Sequence, residues 1–266
     1  MNRFILFLSL IAASIWISIF SIDGKLHIIA CDVGQGDAFL IQKNTTQILI
    51  DGGPDKSVLN CLGRHMPFWD RELELVILTH PQEDHYGGLI DVFKTYDIGN
   101  FGEYNRESSN LGYGVLRNLV GTRGIGTITL ARGTTIGIGK IYLDIVYPID
   151  DTYFKNTNDS GVVTLLKYGH FKALFTADVE NEVSNLLSEF EELENVNYLK
   201  VNHHGSKNGL SQKLLDKVNP EVAVISSRKN NSYGHPHQEI IQMLNNKNVE
   251  ILRTDTIGDV DYVVKI

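Results

Sequence analysis

Thr79-His80-Pro81-Gln82-Glu83-Asp84-His85-Tyr86-Gly87-Gly88 follows the apolar run Leu73, Leu75, Val76, Ile77 and Leu78. That order reads as a buried strand running into a polar loop, with a helix starting near Gly88. Two imidazoles and a carboxylate lie within six positions there. On so rigid a support they can converge on one point, which suits a divalent metal ion. Read alone, the pair has a plainer explanation: two loop histidines, with Asp84 as a helix cap.

Two other stretches tip the balance. His203-His204-Gly205 follows another apolar strand, and Asp178 ends the apolar run Ala173-Leu174-Phe175-Thr176-Ala177. Three strand ends thus each deliver metal-type ligands. The histidine pair extends to Asn202-His203-His204-Gly205-Ser206, and four further stretches complete an ordered set from about residue 26 to the end: Asp32-Val33-Gly34-Gln35-Gly36-Asp37-Ala38, Ile50-Asp51-Gly52-Gly53, Tyr233-Gly234-His235-Pro236-His237 and Arg253-Thr254-Asp255. With this set the chain resembles the metallo-β-lactamase fold, and within it the extracellular hydrolase-like domain of the ComEC/Rec2 DNA-uptake proteins. The resemblance implies an α/β (α+β) chain: an αββα sandwich of two mixed sheets flanked by helices.

Length and composition fit a globular chain able to bury a full core, with no internal linker. We expect residues 1–22 to form a separate leading segment and residues 25–266 the folded domain. Phe4 to Phe20 is an uncharged apolar run, roughly the length of a short membrane span. Its end lacks a regular small-residue cleavage pattern, so an uncleaved signal anchor is favoured, with a cleaved leader and a secreted domain as the alternative. Arg3 on the short side places the domain on the extracytoplasmic side of the cell membrane. Cys31 falls in a core strand and Cys61 in a helix, so two buried free thiols are expected. The net charge of −8 argues against a general polyanion-binding surface. Even so, Lys200, Lys207, Lys213, Lys217, Arg228 and Lys229 gather in the last third.

Strands are predicted at Leu26 to Cys31, Ala38 to Gln42 and Gln47 to Ile50, an antiparallel meander, with a helix over Lys56 to His65. After the histidine loop come a helix over Gly88 to Lys94 and a strand over Ile98 to Phe101. Residues 102 to 140 show only a helix from Leu111 to Val120. Strands follow at Ile141 to Val146, Val162 to Tyr168 and Lys172 to Thr176, the last two a hairpin through Gly169-His170. Helices at Glu180 to Phe190, Leu210 to Val218 and Gln238 to Leu244 then alternate with strands at Asn197 to Val201, Val222 to Ser226, Glu250 to Leu252 and Val260 to Ile266. Strands in two groups, each followed by helices, suit two packed sheets with helices outside.

The resemblance implies a His-x-His-x-Asp-His motif serving two metals. Here Gln82 stands at the second histidine, which members of the DNA-uptake branch often lack too, and a neutral amide oxygen is a weaker ligand. The third motif falls near Asn158 and Asp159, where no histidine occurs; their oxygens would favour a harder ion such as manganese or magnesium. The second site is complete: Asp84, His85, the bridging Asp178 and one imidazole from His203-His204, with His204 favoured by resemblance. The expected cofactor is therefore a divalent metal, zinc or manganese. One site is tight, and a second, weaker one is built on His80 and Asp178. Asp37, through the resemblance, and Asp51 are expected to hold the ligand loops from behind.

A hydroxide held by the metal would attack a phosphorus or carbonyl centre, with no serine or cysteine nucleophile needed. Asp84, His203 and His235 are the candidate catalytic residues, His235 as a phosphate ligand or proton donor. Lys207, Arg228 and His237 are candidate substrate contacts that fit a phosphodiester better than a β-lactam. The leading expectation is an anchored phosphodiesterase or nuclease of the competence type, with single-stranded DNA a possible substrate. One anchor helix cannot itself conduct DNA. The alternatives are a cell-envelope choline-phosphate-type ester hydrolase, which shares Asp-Val-Gly-Gln-Gly-Asp, and a catalytically silent binding module.

Overall fold

The computed structural model describes residues 5–11, 23–104, 108–149, 154 and 156–265. The first half runs β1 (Leu26–Ala30), β2 (Phe39–Lys43), β3 (Thr46–Ile50), α1 (Ser57–His65), β4 (Glu72–Leu78), α2 (Glu83–Tyr86), α3 (Leu89–Thr95), β5 (Asp97–Glu103), α4 (Leu111–Thr122) and β6 (Gly126–Thr129). The second runs β7 (Thr135–Ile138), β8 (Ile141–Tyr147), β9 (Val163–Tyr168), β10 (Phe171–Phe175), α5 (Asn181–Leu187), β11 (Tyr198–Lys200), α6 (Gln212–Val218), β12 (Val222–Ile225), α7 (Gln238–Asn246), β13 (Glu250–Arg253), α8 (Thr254–Ile257) and β14 (Val260–Val263).

Two seven-stranded sheets result, ordered β14-β1-β2-β3-β4-β5-β6 and β13-β12-β11-β10-β9-β8-β7. In the first, β1, β2 and β3 form the expected meander, while β3 to β6 run parallel. In the second, β9 and β10 form the expected hairpin and β10 to β13 run parallel.

Alternation along each strand builds the layers, because successive side chains point to opposite faces. Ile28, Ile41, Ile48, Leu75 and Ile77 meet Leu166, Phe175, Tyr198 and Val224 between the sheets. Their neighbours Ile29, Leu40, Leu49 and Val76 face α1, α3 and α4. Leu165, Leu174, Leu199 and Ala223 face α5, α6 and α7. The architecture is the αββα sandwich of two mixed sheets, as expected.

Three features depart from the sequence reading. Cys31 and Cys61 form a disulfide, with Cα atoms 5.7 Å apart, and are not free thiols. Both lie in the layer between the first sheet and its helices, which brings the end of β1 against α1. The stretch from 102 to 140 contains β6 and β7, short strands of mostly exposed residues without a strong apolar alternation. The helix expected over Glu180 to Phe190 stops at Leu187, and a 3₁₀ turn at Glu191–Leu193 follows. The expected anchor over residues 4–20 lies mostly outside the described residues; residues 5–11 are helical and exposed. Among the described residues no helix is long and apolar enough to cross a membrane.

Candidate metal centre

The chemistry gathers where parallel strands end, the end at which open α/β sheets commonly bind ligands. β3 delivers Asp51, β4 delivers Thr79 and His80, and α2 carries Asp84 and His85. From the other sheet, β10 leads to Asp178, and β11 to Lys200, His203 and His204. Tight turns aim these side chains. Asp51, Ala177, His203 and His204 all hold a positive φ, between 46° and 60°. Such conformations cost about 1–3 kcal/mol each for ordinary residues, and they persist where surrounding contacts fix them. Here the Ala177 carbonyl accepts from both His203 N and the Lys200 ammonium.

Asp84, His85, Asp178 and His204 present ligand atoms all within 4.8 Å of one another. Asp178 Oδ2 lies 3.2 Å from His85 Nε2 and 3.1 Å from His204 Nε2, and Asp84 Oδ2 lies 3.6 Å from His204 Nε2. Three of the four are almost completely buried; Asp84 alone is partly open to solvent.

The partners behind each imidazole set its tautomer. Asp51 Oδ2 lies 2.8 Å from His85 Nδ1, and the Ser226 carbonyl 3.0 Å from His204 Nδ1; both are acceptors, so each Nδ1 carries the proton. The Thr79 hydroxyl donates its only hydrogen to Asp51 Oδ2, so towards His80 Nδ1, 2.9 Å away, it can only accept. All three rings therefore turn Nε2 towards the site. His80 Nε2 is buried without a hydrogen-bond partner among the described residues. Buried polar atoms are seldom left so. A divalent ion fits this donor set.

The local field agrees. Burial alone would raise the Asp178 carboxyl and lower His204 and His85. Their mutual attraction, with Lys200, instead holds Asp178 well below and both imidazoles well above their ordinary values. For Asp84, too, burial is outweighed by His85 and His204, and its carboxyl is held low. Burial, reinforced by His85, depresses His80 to about 3, so it is neutral at pH 7.

The remaining predicted residues surround this cluster. His80 lies against His85, ring centres 4.1 Å apart and the rings tilted by 50°. The Gln82 amide donates to Asn158 Oδ1, so these two bind each other at the edge of the site. Asp159 turns its Oδ1 to the Glu180 backbone N–H at 3.2 Å. His203, His204 and His235 form a triangle of rings, with His203 6.0 Å from His204 and 5.5 Å from His235, and His204 6.4 Å from His235. Burial and the neighbouring imidazoles depress His235 to about 4, so it is neutral at pH 7. His237 Nδ1 accepts from Lys207 N at 3.2 Å, joining two loops. Lys207 and Arg228 have exposed side chains on the rim. Asp37, buried, lies 3.4 Å from His204 Nδ1.

Lys200 was grouped in the sequence with surface cations, yet it is 1% exposed and paired with Asp37 and Asp178. Its place inside the apolar run Tyr198-Leu199-Lys200-Val201 was the available signal.

The family model described as the metallo-beta-lactamase superfamily matches residues 31–227. The chain belongs to that superfamily, a class of metal-dependent hydrolases. Among curated relatives it is 27% identical over 265 residues to ComE operon protein 3 of Bacillus subtilis (strain 168), covering 92% of this chain and 34% of that protein. It is 26% identical over 250 residues to competence protein ComA of Neisseria gonorrhoeae, covering 90% and 32%. These relatives are ComEC/Rec2-like, and the chain spans about a third of their length. Among solved structures it resembles the metallo-beta-lactamase fold protein YhfI from Bacillus subtilis, with TM-score 0.61, 13% identity, and coverage of 90% of this chain and 100% of that one.

Proposed function

We propose that this chain hydrolyses phosphodiesters, nucleic acid foremost, at the Asp84–His85–Asp178–His204 centre. The convergence of those four ligand-type side chains, with their ligand atoms all within 4.8 Å of one another, is the observation that carries the reading. A divalent ion held there supplies acidification of water towards a pKa of about 7 and stabilisation of charge developing on phosphorus oxygens.

The chain's own residues do the rest. Asp51 and the Ser226 carbonyl lock the two ligand imidazoles. His80 and His235, neutral and facing the site or its mouth, accept protons or hydrogen bonds. Lys207 and Arg228 on the rim offer charge to a phosphate chain. Zinc and manganese both suit two imidazoles with two carboxylates. We further place the domain outside the cell, held by residues 4–20; the Cys31–Cys61 disulfide fits an oxidising compartment.

The test is hydrolysis of single-stranded DNA and of a choline-phosphate ester by the metal-loaded chain. DNA cleavage that disappears in Asp84→Ala is the expected result. Preference for the choline ester would move the substrate to envelope material. Full activity in Asp84→Ala would remove the assignment.

A further inference from the structure

The loop between β12 and α7 carries an aromatic ring that the metal centre does not use. Tyr233 stands on it, 66% exposed. Its ring lies 25° from parallel to that of His235, with 5.7 Å between centres. His235 in turn is 6.4 Å from the ligand-type His204. A row of rings thus leads from the buried centre out to Tyr233.

A single exposed aromatic is common on protein surfaces, but this one is held in place. The Asn231 side chain accepts from the backbone N–H groups of Tyr233 and His235, at 3.1 and 3.0 Å, and donates to the Arg228 and His235 carbonyls. A platform fixed before its ligand arrives needs little further ordering on binding.

Beside the loop opens a cleft of about 460 Å³, with Lys229, Asn231, His235 and Arg253 in its wall. Arg253 is forked onto Asp255 and so neutralised. Arg228 and Lys229 are exposed, and among the described residues neither has a carboxylate partner. These two charges repel a quaternary ammonium that the Tyr233 ring would otherwise attract. They suit a phosphate. An aromatic face beside phosphate-binding cations is what single-stranded nucleic acid engages, because every unpaired base offers a π-face to stack.

We propose that Tyr233, Arg228 and Lys229 form a subsite for a nucleotide flanking the metal centre, the base stacking on Tyr233 and its phosphate meeting the two cations. This rests on the nucleic-acid reading above and deepens it, selecting single strands.

The test is fluorescence anisotropy of a labelled thymidine oligonucleotide with the full chain, first with chelator to prevent cleavage, then with Mn²⁺ to follow it. An abasic strand of equal length and a duplex are the comparisons. Tyr233→Ala should weaken binding of the thymidine strand about 5–100-fold, the usual loss for one stacked base, while Tyr233→Phe keeps the parental affinity. The abasic strand and the duplex should not distinguish the parent from Tyr233→Ala. Lys229→Gln should flatten the slope of log Kd against log salt by about 0.7.

Equal affinity of parent and Tyr233→Ala for the thymidine strand overturns the subsite, as does an equal loss on the abasic strand. An unchanged salt slope in Lys229→Gln overturns its phosphate half. Tyr233-dependent binding without cleavage in Mn²⁺ would remove the hydrolase reading and leave the subsite; cleavage with Tyr233-independent binding would do the reverse. No binding of any strand removes both.

Discussion

Asp51 never meets the ion site, yet the orientation of His85 depends on it. Its carboxylate takes the Thr79 backbone N–H, the Thr79 hydroxyl and His85 Nδ1, each at 2.8 Å. Asp51→Asn replaces an acceptor with a donor, and the His85 ring loses the partner that keeps Nε2 inward. Ion affinity should fall about 10–100-fold with the fold retained. A calorimetric Kd unchanged from the parent would show that His85 is held some other way. At this scale the sequence was informative about donors, since His80, Asp84, His85, Asp178 and the His203-His204 pair stand out by type and position, though it did not order that pair. It was uninformative about partners, because nothing local pairs Gln82 with Asn158 or Lys200 with Asp37 across so many residues.

Loops and strands cooperate through close approach. Gly36 holds φ at +139°, and a Cβ built there would lie 2.2 Å from the Asp84 carbonyl. Asp37 N also donates to that carbonyl, at 3.2 Å, so this glycine turn cradles the metal-bearing loop. Gly36→Ala should cost about 1–3 kcal/mol of stability from the backbone alone and loosen ion binding by displacing Asp84. Thermal melts and ion titration of the variant check both, and a tight ion in a stable Gly36→Ala chain would refute the close approach. The Cys31–Cys61 bond closes a loop across 30 residues between β1 and α1. Reduction, or Cys61→Ser, should lower stability by about 3 kcal/mol, measured by denaturant titration with and without reductant. No change would mean that packing alone holds α1. Each cysteine's burial was legible from its element, but the pairing was not, since it depends on which sheet face looks at which helix.

Across the whole molecule, His27 ties the start of the fold to its end. Its ring lies 2.9 Å from Asp261 on β14 and 3.1 Å from Asp23, which precedes β1. Burial pulls its pKa down, but the two carboxylates outweigh that and raise it above 6.5. The bridge therefore contributes fully below pH 6.5 and fades as pH rises through the raised value. His27→Gln should lose about 0.5–1 kcal/mol at pH 6, a value discounted for solvent screening, and almost nothing at pH 9. A loss equal at both pH values would sink the charge explanation. The sequence by itself determined the two groups of strands, the layering and the ligand types, because period-2 alternation and strand-end polarity are local properties of the chain. Only the tertiary structure decided that residues of both sheets share one buried point, that Lys200 is inside and that the cysteines are joined. Those facts depend on how two sheets face each other, which long-range packing sets and no short stretch encodes.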